Sequence, residues 1–297
     1  MDVLSAMALF RRVIEVGSFS AVARETGHSQ PTVSRSVSEL EQRLGTKLIN
    51  RSTREINMTD AGKQYYDYCI RILDDLSEVE ANIRNDQSRL RGTLRVNTPV
   101  SFGRMEIAPR LWDFYEKYPD LNIDLMMDDH YVDLVKEGVD VSIRIGPLSD
   151  SSLIAKKICE SPRLIVASKK YINQYGEPKT LDDLKKHNCV VYTLLTTHNE
   201  WHFHGPNGIE VIRVKGRFST NSPEAMRDAV IAGVGIGVTP LWLVKNYLDK
   251  HDLVTILPDY TPTAFEVHAL YPERRYLTAR VRTFIEYLAN SFVVDGY

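Results

Sequence analysis

Polar side chains that donate or accept hydrogen bonds follow one another near residue 30. The series consists of Gln30, Pro31, Thr32, Ser34 and Arg35, with the proline as its one apolar member. Glutamine can pair through two hydrogen bonds with adenine, arginine with guanine, and serine or threonine with several bases. A helix that begins with these residues would have the chemistry to contact base edges in the major groove of duplex DNA. Any three-helix domain can expose similar residues, so the series alone leaves a purely structural role open.

A second set of small and polar residues lies at predicted strand-to-helix turns. Free backbone N–H groups and the positive end of a helix dipole attract anions at such turns, and open α/β sheets bind ligands at the carboxyl ends of their strands. Arg144 could pair bidentately with a carboxylate, or form a structural ion pair instead, and each turn could be a helix cap only. We predict an anion site, for an organic or aromatic acid, at Thr98, Ser101, Phe102, Arg144, Gly146, Asn221, Ser222 and Thr239.

The first set requires a tight turn followed by a helix, and the sequence predicts both. An amphipathic helix ends at Gly17, and a short helix follows over about residues 19–26. Ser29 is a favourable N-cap, Pro31 is tolerated in the first turn, and Gly45 is typical of a helix end. Alternating stretches at 47–51 and 55–58 then predict a hairpin, or wing. Its residues Arg51 and Arg54 could contact flanking phosphate or the minor groove.

A long amphipathic helix is predicted after the hairpin, from Asp60 to Arg89. Its apolar residues recur at steps of four or three, as in a coiled coil: they are Ala61, Tyr65, Tyr68, Ile72, Leu76, Val79 and Ile83. At about 1.5 Å per residue this helix is too long to be buried on the preceding residues. A second copy of the same helix is the simplest partner, so we expect a homodimer. Its two-fold symmetry would require an interrupted palindrome in the DNA.

Strands and helices alternate in the remaining two thirds of the chain. Strands are predicted at 93–98, 121–127, 139–145, 163–167, 189–193 and 216–220, with helices at 105–118, 132–137, 169–175 and 223–232. Alternation of this kind is typical of a parallel α/β sheet built from βαβ units.

Composition excludes several classes of protein. In the 297 residues, 37 lysines and arginines nearly balance 39 aspartates and glutamates, although residues 1–58 hold eight basic and six acidic side chains. Three widely spaced cysteines predict neither a disulfide framework nor a thiolate metal site. Neither an export signal nor a membrane span is recognisable. We therefore expect a cytoplasmic protein that would bind a polyanion through a local basic surface and not through its overall charge.

Residues 19–62 closely resemble the winged helix-turn-helix of LysR-type transcriptional regulators. The matching positions are Ser29-Gln30-Pro31, Val33-Ser34-Arg35, Leu40-Glu41, Leu44-Gly45, Arg51 and Thr59-x-Ala61-Gly62, while Thr26, His28 and Ile49 depart from the usual pattern. Segments 107–125, 140–146 and 229–240 are similar, less specifically, to the co-inducer domain of the same family. That domain resembles type 2 periplasmic binding proteins, with two α/β lobes around a cleft.

The resemblance implies a DNA-binding domain at 1–59, a linker and dimerisation helix at 60–90, and an effector domain at 91–297. The lobes would take about 91–162 with 268–297, and 163–267. It further implies a transcriptional regulator, not an enzyme, whose DNA binding or activation responds to a small molecule. A homotetramer is implied as well, and RNA polymerase is an expected further partner. Neither a cofactor nor a bound metal is expected.

Alternatives weigh less but remain. His198, His202 and His204 have strand-like spacing that could hold a metal, although no carboxylate or cysteine accompanies them at a matching spacing. Cys159 could be a redox sensor, but it has no evident resolving thiol. A solute-binding or transport protein could use the same fold as residues 91–297, but it would have no need of the DNA-binding domain at 1–59. An enzyme would need a nucleophile elbow, a P-loop or an HExxH motif, none of which the sequence contains.

Overall fold

The computed structural model describes residues 2–51, 56–83, 90–148, 153–195, 197, 199–206, 208–272 and 277–294. The chain divides into two compact units. One comprises residues 1–94 with 118–122, and the other comprises 95–117 with 123–297. Within the described residues, no helix is both long enough and apolar enough to cross a membrane.

Three helices form the start of the first unit: α1 (Val3–Val16), α2 (Phe19–Thr26) and α3 (Gln30–Leu44). The side chains of Asp2, Ser18 and Ser29 cap the three helix starts by accepting a hydrogen bond from a backbone N–H of the first turn. Each helix ends at a glycine with φ of 69°. Such caps are local in sequence and are stabilising by about 1 kcal/mol each. The predicted helix bounds at 19–26 and the N-cap at Ser29 are confirmed.

A two-stranded hairpin follows, with β1 (Ile49–Arg51) antiparallel to β2 (Ile56–Met58). The next helix, α4 (Asp60–Ile83), confirms the predicted long helix as far as 83, and its continuation to 89 lies outside the described residues. Phe10, Val33 and Leu40 are fully buried in the shared core of this unit. The helix-turn-helix is thus held by one apolar cluster that leaves the opposite face of α3 in solvent.

The second unit contains short helices and mixed sheets, and two of its strands begin within residues of the first unit, at 92–94 and 121–122. Its strands are β3 (Gly92–Thr98), β4 (Leu121–Met127), β5 (Val141–Ile145), β6 (Leu153–Ser161), β7 (Arg163–Ser168), β8 (Val191–Tyr192), β9 (Glu200–Gly205), β10 (Gly208–Arg213), β11 (Ser219–Thr220), β12 (Gly237–Pro240), β13 (Leu253–Thr255), β14 (Thr261–Pro262) and β15 (Phe265–Pro272). Its helices are α5 (Val100–Phe102), α6 (Leu111–Lys117), α7 (Leu134–Glu137), α8 (Lys169–Tyr175), α9 (Pro223–Ile231), α10 (Leu241–Asp249) and α11 (Ala279–Val294).

Two lobes follow from the strand order. The first lobe is a five-stranded sheet in the order β4-β3-β5-β15-β6, and the second contains the three-stranded sheet β12-β7-β13 and the three-stranded sheet β10-β9-β14. The chain crosses between the lobes at Pro162, between β6 and β7, and again between β14 and β15. Two connecting segments of the chain, called crossings below, therefore run between the lobes.

The predicted parallel sheet is confirmed only in part, because parallel and antiparallel pairs occur together. β3 and β5 are parallel, but β15 runs antiparallel to both β5 and β6, and β12 and β13 run antiparallel to β7. Local alternation of strand and helix indicates α/β architecture, but it does not show which strands a strand from a distant part of the chain, such as β15, pairs with. The predicted helix at 105–118 is confirmed as a helical segment but not as one regular α-helix. The chain turns helical at Val100, passes through a π-helical turn (Gly103–Ile107) and a 3-10 turn (Ala108–Arg110), and becomes regular only in α6. Pro109, which cannot donate a helical hydrogen bond, lies in this irregular segment.

Candidate functional site

The start of α3 is fixed by its cap and by its buried face. Ser29 Oγ accepts a hydrogen bond from the backbone N–H of Thr32 at 3.2 Å, and the hydroxyls of Ser29 and Thr32 lie 2.7 Å apart. Val33 and Val37 are fully buried. Because side chains three and four residues apart lie on one face of a helix, this burial orients the intervening polar residues outward.

The outward face of α3 carries the predicted base-contacting residues together. Gln30, Pro31, Thr32 and Arg35 are exposed, and Ser34 is partly exposed. The Arg35 side chain is 82% accessible, and its Nε lies 2.9 Å from Glu39 Oε1. An exposed pair of this kind contributes little to stability, so the guanidinium is available for another acceptor. The face presents donors and acceptors within one turn and a half of helix.

The wing is anchored beneath by a buried carboxylate. Glu41, on α3, is 3% accessible. Its carboxylate accepts hydrogen bonds from Leu48 N at 3.0 Å, Ile49 N at 3.2 Å and Lys47 Nζ at 2.7 Å. Burial raises the pKa of Glu41, but these three donors lower it more, so the net shift is downward. Arg51 is the last residue of β1, and Arg54 lies outside the described residues.

Three predicted residues of the first lobe lie at the end of β3 or directly after it. Thr98, Ser101 and Phe102 are all buried. The Phe102 ring packs edge-on against Trp242 of α10, with centroids 5.5 Å apart, and stacks on Phe292 at 5.8 Å. Phe102 therefore contributes to packing between the lobes, a role that the turn motif did not indicate.

Arg144 is buried at the end of β5 and hydrogen-bonded to neutral acceptors. Its Nη2 donates to Asn97 Oδ1 at 2.6 Å and to the His130 carbonyl at 3.0 Å, while Nη1 donates to the Ile143 carbonyl at 3.0 Å. Among the described side chains it forms no ion pair. Burial lowers the pKa of the guanidinium, against the opposing influence of Tyr131, Asp128 and Asp129. Arg144 is thus a positive charge at the ends of β3 and β5 that no directly bonded carboxylate neutralises.

The predicted residues of the second lobe lie at the starts of two helices. Ser222 caps α9 by accepting the N–H of Ala225 at 3.2 Å, and Asn221 before it is exposed. Thr239, in β12 just before α10, is buried, and its Oγ1 has no hydrogen-bond partner in the part of the chain that the structure describes. Glu224, in the first turn of α9, forms an ion pair with Arg104 of the first lobe. The turns around α5 and α9 therefore face each other across the two lobes.

Sequence reasoning missed Arg163, the first residue of β7. It lies beside Phe265, whose ring a Cβ on Gly146 would approach to 3.8 Å. One sequence feature could have indicated Arg163: it is a single cation that follows Pro162 and precedes a mainly apolar strand. The structure therefore places one predicted residue, Gly146, beside the Phe265 ring that an arginine outside the turn motifs also contacts.

Other candidates are not brought into this region. A cavity of about 110 Å³ is lined by Asp140, Ile154, Tyr271, Pro272, Leu277, Thr278 and Val281, and contains none of the predicted residues. In the described part of the chain, no three His, Cys, Asp or Glu side chains are grouped to hold a metal. His202 and His204 lie on β9, and His198 is outside the described residues. Cys159 is buried, and burial raises the pKa of its thiol to about 12.

Comparison with known families assigns both units. Residues 4–63 match the family model described as a bacterial regulatory helix-turn-helix protein of the lysR family, and residues 87–293 match the one described as a LysR substrate binding domain. The chain belongs to the LysR family of transcriptional regulators. This LysR-type regulator is a DNA-binding transcriptional regulator, with a winged helix-turn-helix followed by an α/β substrate-binding domain.

Relatives of this LysR-type regulator are similar over nearly the whole chain. It is 35% identical to the HTH-type transcriptional activator AaeR of Escherichia coli K12, over 100% of this chain and 96% of that protein. It is 33% identical to an HTH-type transcriptional repressor of Pseudomonas aeruginosa, over 98% and 93%. The full-length structure of the Vibrio cholerae virulence activator AphB has a TM-score of 0.59 at 30% identity, over 97% and 98%. An activator and a repressor thus occur at similar identity, so likeness fixes the class of protein and not the direction of regulation.

Proposed function

We propose that this LysR-type regulator binds an interrupted palindrome as a homodimer, with one α3 helix in the major groove of each half-site. The exposed start of α3 is the observation that carries this proposal. Gln30, Thr32, Ser34 and Arg35 contact base edges, and Pro31 sets the first turn. Arg51 and Arg54 of the wing contact phosphate or the minor groove. Half-sites one helical turn apart, or a multiple of about 34 Å, fit a symmetric pair.

The seam of α4 supports the dimer. Tyr68, Ile72, Leu76 and Val79 recur on one side of this helix, and between 38% and 54% of each residue is exposed. A run of large apolar residues at this spacing is stable in water when a second helix covers it. We extend the assembly to a homotetramer made of two such dimers, each of which contacts two half-sites, and we propose RNA polymerase as a further partner at a promoter. Access to the chromosome requires a cytoplasmic location.

Arg35→Ala tests base recognition. We expect about 10- to 100-fold weaker binding to the protein's own promoter, because a bidentate base contact contributes about 1–3 kcal/mol. Arg43→Ala, at the far end of α3, is the matched control. We place Arg43 beside the DNA backbone, so loss of its phosphate contact should weaken binding to all sequences about equally. Gel shifts with promoter and scrambled DNA measure both, and circular dichroism checks the fold. Unchanged promoter affinity in Arg35→Ala would remove this residue from recognition.

The effector of the second unit is, in this proposal, a small organic acid held between the two lobes. Arg144 supports an anion because its charge lies among neutral acceptors at the carboxyl ends of β3 and β5. Thr98, Ser101 and Gly146 from the first lobe, and Asn221, Ser222 and Thr239 from the second, complete the site with backbone and hydroxyl donors. Phe102 supplies an apolar wall. An acid that binds one arrangement of the lobes more tightly than another shifts DNA binding by its differential affinity, about 1–3 kcal/mol for tens-fold regulation.

A thermal shift assay on the full-length chain tests this effector class. The panel is benzoate, salicylate, phenylacetate and succinate, with benzamide as a neutral analogue of benzoate. We expect at least one acid to raise the melting temperature, benzamide to have no effect, and Arg144→Ala to reduce the shift. Mass spectrometry of the recovered acid should find it unchanged, whereas a converted product would indicate an enzyme. The absence of any shift with all four acids would contradict an acidic effector.

A further inference from the structure

Arg163 and Phe265 lie at the two points where the chain crosses between the lobes. Arg163 is the first residue of β7, directly after Pro162, and Phe265 is the first residue of β15. Phe265 is the cross-strand partner of Ser161, so the two crossings run side by side. A ligand held at this position would touch both connections between the lobes.

The guanidinium of Arg163 has few partners for a buried cation. Its Cζ lies 4.1 Å from the centroid of the Phe265 ring, and its Nη1 donates to the Thr263 carbonyl at 3.5 Å, at the limit of a hydrogen bond. The residue as a whole is partly exposed, but Nε is buried and has no acceptor within the described ranges of the chain. Nη2 likewise has no acceptor among the residues that the structure describes, and the guanidinium forms no ion pair with them.

The unpartnered atoms form one recognition edge. Nε–H and Nη2–H point the same way in the plane of a guanidinium, and a carboxylate accepts both through its two oxygens. Phe265 covers one face of the guanidinium, so the in-plane edge formed by Nε–H and Nη2–H is the part that a ligand can contact. Burial also lowers the pKa of Arg163 to about 10, which leaves it charged at neutral pH. A charge in that position is costly until an anion pairs with it.

The surroundings suit an organic anion. Gly146 has a φ of 94°, and its missing side chain leaves space beside the Phe265 ring, which a Cβ would contact at 3.8 Å. On the other side, β12 places Pro240 opposite Arg163 and Thr239 opposite Leu164. Thr239 Oγ1, which has no hydrogen-bond partner among the described residues, lies on the opposite face of this sheet together with Leu164, because successive strand residues alternate between faces. An apolar ring and an open glycine thus lie beside the unsatisfied edge of Arg163.

We propose that the Nε and Nη2 edge of Arg163 binds the carboxylate of the effector acid, which lies against Phe265 and Gly146. The proposal rests on the acidic effector proposed above and identifies the residue that recognises the acid group. In this arrangement Arg144 positions the ends of β3 and β5, whereas Arg163 makes the direct contact. Ion pairing at the crossings links acid binding to the relative placement of the lobes.

Two substitutions at Arg163 test the contact in the full-length chain. Arg163→Met keeps an unbranched apolar stem against Phe265 and removes the charge, and we expect the affinity for the most stabilising panel acid to fall at least 30-fold. Arg163→Lys keeps the charge but loses the two-pronged edge, and we expect a loss of at least ten-fold. Isothermal titration calorimetry measures both. The ligand-free Arg163→Met chain should melt at the wild-type temperature or above it, because an unpaired buried charge is gone.

A measurement on the wild-type chain complements the variants. Phenylglyoxal modifies arginine side chains, and mass spectrometry locates the label. The panel acid should protect the peptide that contains Arg163 and leave labelling of the exposed Arg43 unchanged, whereas benzamide should protect neither. Binding of an acid with wild-type affinity to both variants, or labelling of Arg163 that the acid does not reduce, would overturn the assignment and leave the acidic effector intact. A wild-type chain that binds none of the acids would overturn both proposals.

Discussion

At the scale of single residues, stability and recognition are assigned to different side chains of the same helix. Glu41 and Arg35 are six positions apart on α3, yet Glu41 is 3% accessible and the Arg35 side chain is 82% accessible. Glu41 satisfies the backbone of the wing, whereas Arg35 has only an exposed partner, Glu39. A substitution at Glu41 should therefore affect folding, and one at Arg35 should affect binding.

Glu41→Ala should destabilise the first unit by about 2–4 kcal/mol. The change leaves the buried N–H groups of Leu48 and Ile49 without an acceptor, and each unsatisfied group costs about 1–3 kcal/mol. Hydrogen exchange of peptides from residues 2–51 in the full-length chain measures the free energy of opening. Glu39→Ala, which removes an exposed pair on the same helix, should change it by less than about 1 kcal/mol. An equal effect of the two substitutions would contradict the anchoring role of Glu41.

The same carboxylate predicts a pH dependence of the first unit. The pKa of Glu41 is lower in the folded chain than its ordinary value. Its stabilising contribution is therefore complete above the unfolded value, about 4.3, and is lost as the pH falls through the lower folded value. Opening of residues 2–51 should increase below about pH 4 in the wild type. Glu41→Gln, which cannot titrate, should show a smaller increase, and an identical pH profile would assign the effect to other groups.

At the scale of elements, local signals were sufficient for the helix-turn-helix and insufficient for the sheets. Ser18, Ser29 and Gly45 determine helix ends through contacts with residues two to four positions away, so the sequence predicts those ends closely. The place of β15 depends on pairing with β5 and β6, more than 100 residues earlier, and no local pattern encodes it. Arg163 was missed for the same reason, because its environment is formed by Phe265 and Thr263, about 100 residues away.

The exposed seam of α4 carries the prediction at this scale. Ile72→Asp should weaken self-association at least about 100-fold, because two copies of the side chain lose burial worth about 1.5–3 kcal/mol each and two carboxylates meet instead. Sedimentation equilibrium measures the dissociation constant. Ser77→Asp, exposed on the same helix but off the seam, is the matched control and should leave it nearly unchanged. Dimers of normal affinity in Ile72→Asp would show that another surface holds the subunits together.

At the scale of the molecule, regulation requires two arrangements of the lobes that an effector distinguishes. Contacts that join the lobes beside the proposed site include the packing of Phe102 on Trp242 and the ion pair of Arg104 with Glu224. Trp242 is also tied to the first lobe through a hydrogen bond from Nε1 to Ser161 Oγ at 3.1 Å. The aromatic contact is buried and belongs to the core, so the partly exposed ion pair is the contact that can open without disrupting packing.

Breaking this ion pair should weaken acid binding modestly. Arg104 and Glu224 side chains are 58% and 28% accessible, and a pair exposed to this extent contributes about 0–1 kcal/mol. Arg104→Glu should therefore lower the affinity for the panel acid by more than Arg104→Ala, which should lower it by up to about five-fold. The double variant with Glu224→Arg restores an attractive pair and should recover most of the loss. Calorimetry at low and high salt measures the coupling free energy between residues 104 and 224 in acid binding. Screening at 1 M salt should remove this coupling. Additive effects of the two charge reversals would show that the pair does not hold the lobes in the arrangement that binds the acid.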